Sequence, residues 1–135
     1  MADNTVPAGF NTVMPYLILD GAAAEIEFLQ KMFGASINEL VDMGGGKVRH
    51  AELHIGNSMV MLADSREDIP ARPTMMYVYV ADVDETYAKA IAAGAHSEKE
   101  PSDEFYGDRT AGLRTDRGMQ WYIATHTGKT WEPEY

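Results

Sequence analysis

Tyr16-Leu17-Ile18-Leu19-Asp20-Gly21-Ala22-Ala23-Ala24-Glu25-Ile26-Glu27-Phe28, closing at Phe33-Gly34-Ala35, is the stretch that decides the fold. Its first part continues the β-branched and aromatic run from Thr12 and predicts a strand to Leu19. Asp20 stands where a helix N-cap belongs, and alanine-rich sequence follows from Ala22 to Phe33. Ile26, Leu29 and Phe33 share one helical face, and Gly34 suits the left-handed stop. Downstream, strands are expected at Ile37–Asp42, Lys47–Ile55 and Ser58–Ala63, with turns at Gly44-Gly45-Gly46 and Gly56-Asn57. The same order then restarts. Thr74–Val80 reads as a strand, and Asp82 with Glu85 resembles a capping box. Val83, Tyr87 and Ile91 mark the buried face of a second helix, which Gly94 ends. Strands are expected near His96–Glu100, Thr110–Thr115 and Met119–Thr125. An offset of about 61 residues superposes the halves, so β-α-β-β-β occurs twice. The expected divisions are a flexible start at 1–11, a first module at 12–64, a linker at 65–73, a second module at 74–127 and a tail at 128–135.

Composition limits the chemistry. The 135 residues suit one domain or two small halves, and there is no cysteine for disulfides or thiolate chemistry. A net charge of -10 repels phosphate backbones, arguing against nucleic acid, and would attract a cationic small molecule. It equally serves solubility. No apolar run is long enough to span a bilayer, and Met1-Ala2-Asp3-Asn4 does not resemble a secretory leader. The expectation is a cytoplasmic protein without membrane association.

The order and local phrases resemble the vicinal-oxygen-chelate superfamily, the fold of glyoxalases, bleomycin-resistance proteins and certain dioxygenases, and within it the PhnB-like branch. The phrases are the opening stretch quoted above, His50-Ala51-Glu52-Leu53, Met61-Leu62-Ala63-Asp64, Asp82-Val83-Asp84, Ala92-Ala93-Gly94-Ala95 and Tyr106-Gly107-Asp108-Arg109 followed by Thr115-Asp116-Arg117-Gly118. Arg117 departs from the proline usual at that position. The resemblance implies an α+β fold: two βαβββ modules in tandem, curved mixed sheets forming a cup, helices on the convex side. It also implies a small-molecule ligand in the cup and a homodimer.

Metal-dependent relatives take one ligand from each of four strands. The corresponding positions here hold Met14, Met61, Met75 and Tyr122, none an imidazole or carboxylate. Thioethers are soft, weak ligands for catalytic divalent ions, so no metal or other cofactor is expected. Strand parity then lines the cup with Met14, Tyr16, Met59, Met61, Met75, Tyr77, Tyr79, Gln120 and Tyr122, joined by Tyr106 from the preceding loop. Leu17, Leu19, Val60, Leu62, Val78, Val80, Trp121 and Ile123 take the opposite, helix-facing parity. A Met and Tyr surface accommodates flat or cationic ligands; the same side chains could instead fill the space and leave no pocket. The expected function is therefore sequestration of a cationic or aromatic compound. The alternative is a metal-dependent lyase, isomerase or dioxygenase with an atypical site.

Other chemistry is sparse. His50, Glu52 and His54 share a strand face, about 6–7 Å apart in succession. That is wide for joint ligation and also compatible with a polar outer face, or with His50 or Glu52 as a general base. Glu100, Asp103, Glu104 and Asp108 read either as an acidic groove for a cation or as a solvated loop with Asp108–Arg109 or Asp103–Arg114 pairs. His96 and His126 read as exposed turn residues.

Overall fold

A computed structural model describes residues 5–128; the outer parts of both expected tails, 1–4 and 129–135, lie outside the described residues. The chain divides into two compact units between Arg72 and Pro73. In the first, β1 (Tyr16–Leu19), α1 (Ala22–Phe33), β2 (Ser36–Gly44), β3 (Lys47–Ile55) and β4 (Ser58–Asp64) follow in sequence. The second repeats the order as β5 (Met75–Tyr79), α2 (Val83–Ala92), β6 (His96–Asp103), β7 (Asp108–Arg114) and β8 (Gln120–His126). The sheets run β1-β4-β3-β2 and β5-β8-β7-β6, with only the first pair of each parallel. Tyr16 faces Met61 across the ladder as Tyr77 faces Tyr122, which is the repeat offset of 61 in coordinates. This is the α+β arrangement of two βαβββ modules that the sequence predicts.

Parity decides what each sheet buries. Leu17, Leu19, Val60 and Leu62 form the helix-side core of the first unit, Trp121 and Ile123 that of the second. Helix α1 contributes Ala22, Ile26, Phe28, Leu29 and Met32 to its core. At its end Gly34 takes φ 64°, and the amides of Gly34 and Ala35 return to Gln30 and Leu29. Only glycine adopts that turn at no steric cost, so the helix stops there.

Three local expectations are corrected. The first strand begins at Tyr16 instead of Thr12, leaving Met14 ahead of the ladder. Asp20 is not the cap of α1. Gly21 occupies that position with φ 101°, and Asp64, at the end of β4, accepts from the amides of Gly21 and Ala22 at 2.9 and 3.1 Å. Asp20 instead accepts from the Ser65 hydroxyl. On α2, Val83 and Ala90 are the buried residues and Ile91 is 38% exposed, because the smaller Ala90 seats the helix. Asp82 caps it, accepting from the Glu85 amide at 3.2 Å, which is the first half of the expected capping box.

Candidate functional site

The first unit carries a hydrogen-bonded chain on the sheet face away from α1. Register sets Tyr16, Met61 and Glu52 abreast on three adjacent strands. His50, two residues before Glu52, turns back to it, Nε2 to Oε2 at 2.8 Å. The Tyr16 hydroxyl reaches His50 Nδ1 at 2.9 Å, and Asn38 donates to the other Glu52 oxygen at 2.8 Å. The bonds from His50 and Asn38 hold Glu52 below the usual carboxylate range despite its burial. An ionised Glu52 requires the proton on His50 Nε2, so in the neutral ring Nδ1 accepts from Tyr16. The outcome is a phenol–imidazole–carboxylate line able to move a proton to or from Tyr16. His54 is not part of it; its Nε2 bonds the Gly9 carbonyl at 3.0 Å.

A cavity of about 290 Å³ opens beside Tyr16, bounded by Ile18, Arg49, Ala63, Asp64, Arg66 and Ile69. The loop after β4 forms its rim. Ser65 and Arg72 donate backbone bonds to Leu19 and Ile18, and Arg66 and Ile69 exchange two more. Asp64 is saturated within this wall, since its second oxygen accepts from the Val48 amide at 2.7 Å.

The second unit builds a different cluster on the corresponding face. Asp108, nearly buried at the start of β7, accepts from the hydroxyls of Tyr77 and Tyr79 at 2.7 and 2.8 Å on one oxygen. His126 lies 3.1 Å from the other. Burial alone would push Asp108 up; bonds from Tyr77, His126 and Tyr79 outweigh it and hold the carboxyl below its ordinary value. Burial chiefly raises the Tyr77 phenol, and the bond to Asp108 chiefly raises that of Tyr79. Both are neutral donors at physiological pH. Tyr106 joins through its hydroxyl, 3.4 Å from that of Tyr77. Tyr77 and Tyr79 meet edge to face, and Tyr122 lies across Gly112, where an added Cβ would sit 2.9 Å from its ring.

The acidic segment is held internally. Arg109 forks onto Asp84 at 2.8 and 2.9 Å and reaches Asp103 at 3.3 Å, while Arg114 faces Glu98 at 3.7 Å. These replace the expected Asp108–Arg109 and Asp103–Arg114 pairs, because Asp108 is taken by Tyr77, Tyr79 and His126 and Asp103 by Arg109. Lys99 binds Glu104 at 3.0 Å. His96 and His126 are exposed but not idle: His96 lies 2.6 Å from Asp116.

Of the expected cup residues, Tyr16, Met75, Tyr77, Tyr79 and Tyr106 are exposed; Met14, Met61, Gln120 and Tyr122 are half-buried. Met59 is 1% exposed and belongs to the core, its amide bonded to the Asn11 side chain. The four positions corresponding to the relatives' metal ligands offer three thioethers and a phenol, a donor set that does not fit a catalytic divalent ion. Among the described residues no three or more His, Asp or Glu side chains converge as ligands. His50 and Glu52 are spent on one another and on Tyr16 and Asn38. Sequence reasoning missed Asp108 as the tyrosine anchor, Asp64 as the helix cap and Arg49 and Arg66 as cavity walls. Only the spacing of Tyr77 and Tyr79 on one strand face hinted at a shared partner.

The sequence profile of the Glyoxalase/Bleomycin resistance protein/Dioxygenase superfamily matches residues 9–132, and the chain belongs to that family. Among curated proteins, Mb0911c of Mycobacterium bovis is 32% identical, the match covering 91% of this chain and 86% of the relative. Among solved structures, TioX from Micromonospora sp. ML1 is similar at TM-score 0.68 and 27% identity, over 84% of this chain and 95% of TioX. A PhnB protein from Bacillus cereus shares the fold at TM-score 0.65 and 18% identity, over 85% of this chain and 99% of its own. No helix among the described residues is long and apolar enough to cross a membrane.

Proposed function

We propose that this chain is a small-molecule-binding member of the glyoxalase and bleomycin-resistance superfamily, of the PhnB-like branch, acting without a metal or other cofactor as a cytoplasmic homodimer. Its ligand is a flat aromatic or cationic compound received on the tyrosine face of the second unit. One observation carries the reading: Met75, Tyr77 and Tyr79 stand 50, 41 and 62% exposed on a sheet whose central strands bury Leu113, Trp121 and Ile123 on the opposite face. Open phenols clamped through Asp108 present fixed ring faces and lose little freedom on binding. The surrounding negative charge favours a cation over those rings.

The test is a titration with N-methylquinolinium followed by amide NMR. Saturable shifts at Tyr77, Tyr79 and Tyr122, weakened by salt and at least fivefold weaker in Tyr79→Ala, are expected. Failure of a broad aromatic and cationic library to bind would sink the reading and favour a surface for a protein partner. The metal-dependent alternative finds less support, because His50 and Glu52 would have to abandon three hydrogen bonds to become ligands. Metal near one ion per chain in untagged protein, lost in His50→Ala, would revive it.

A further inference from the structure

The geometry points to a second site: the cavity of the first unit binds the anionic group of a small carboxylate or phosphate compound, through Arg49 and Arg66. Three observations converge. The chain holds 21 acidic residues against 11 Lys and Arg, so carboxylate partners are in excess, and Arg72, outside the cavity, also has no side-chain partner among the described residues. Arg109, Arg114 and Lys99 are all paired. Among the described residues Arg49 and Arg66 have no hydrogen-bonded or ion-paired side-chain partner, and both line the same cavity of about 290 Å³.

Each is also placed there by backbone. The β2–β3 ladder slips from Val41–His50 to Asp42–Val48, leaving Arg49 as the extra residue of a bulge. Strict alternation would set Arg49 on the parity of Ala51 and Leu53, in the core; the bulge re-aims it to the cavity of Tyr16 and Ile18. Arg66 sits in the loop pinned by its two backbone bonds to Ile69. The one carboxylate on the wall, Asp64, spends both oxygens on the amides of Gly21, Ala22 and Val48, so neither guanidinium gains a bond from it. Tyr16 donates to His50 and offers its ring, which with Ile18 and Ile69 makes an apolar wall. Two forked cations lining one cavity with an apolar wall fit a compact oxyanion on an aromatic or aliphatic body. The volume admits a metabolite-sized ligand.

Benzoate and inorganic phosphate are the probes, with neutral benzamide as control, all titrated by amide NMR. Saturable shifts at Ile18, Ala63, Arg66 and Ile69 with benzoate, and at least tenfold weaker binding of benzamide, are expected. Arg49→Gln and Arg66→Gln should each weaken benzoate at least tenfold, with Arg66→Lys recovering part of the loss. Phosphate binding as tightly as benzoate would assign the anion alone; benzoate binding alone would assign the apolar wall a share, and either supports the site. Equal binding of benzamide and benzoate, or unchanged affinity in both Gln variants, overturns it. N-methylquinolinium shifts at Tyr77 and Tyr79 report the second unit, so failure here leaves that reading standing, and the reverse.

Discussion

Asp64 shows how one side chain joins three segments. Its two oxygens take the first amides of α1 and the Val48 amide of β3, so a single carboxylate caps the helix and ties it to the sheet. Asn at this position keeps one acceptor and turns an amide group toward a backbone donor. Asp64→Asn should therefore cost roughly 1–3 kcal/mol in urea unfolding; an unchanged midpoint would refute the role. Gly112 is a second such residue. Its lack of a side chain lets Tyr122 lie across β7. Gly112→Ala should destabilise by about 1–3 kcal/mol through overpacking. The penalty should vanish in a Tyr122→Ala background, which a double-mutant cycle measures.

At the scale of elements, the two helices start by different means, and this gives them different vulnerabilities. α2 is capped from its own sequence by Asp82, so Asp82→Ala should cost about 1 kcal/mol and affect mainly the second unit. Asp20→Ala, beside α1, should cost less than half as much, because that helix is capped from β4. Paired thermal melts of the two variants distinguish this from capping by sequence neighbours alone. The bulge in β3 is the other element-level device, separating the parity of Arg49 from that of the core residues beyond it.

Across the whole molecule, stability depends on carboxylates engaged as acceptors. Glu52, Asp64 and Asp108 are all buried and all held below their ordinary values, by hydrogen bonds from His50 and Asn38, from backbone amides, and from two tyrosines and a histidine. A depressed folded-state value stabilises the protein above the unfolded carboxylate range, and that contribution is lost as pH falls through the folded values. Unfolding free energy should therefore be flat with respect to these groups at neutral pH and drop steadily below about pH 4. Urea titrations from pH 7 to pH 2.5 check it, and Asp64→Asn should flatten the slope. Stability constant down to pH 2.5 would show that these bonds contribute nothing.

Most of the architecture was legible because it rests on local rules. Alternating apolar residues, an alanine-rich helix closed by Gly34, the Asp82 cap and a repeat offset of about 61 residues specify two βαβββ modules and which face of each central strand is buried. What lay beyond the sequence were the long-range pairings. Asp64 reaches a helix 42 residues earlier, Asp108 reaches Tyr77 across 31, and Tyr16 reaches His50 across 34. A carboxylate or phenol has no periodic signature, and its partner is whichever donor the folded sheet brings within about 3 Å. A bulge likewise leaves no mark in the residue pattern yet turns Arg49 from the core face to a cavity. Sequence by itself determined the scaffold and the closed side of each sheet; tertiary structure decided which polar groups meet on the open side, because that depends on distances between strands.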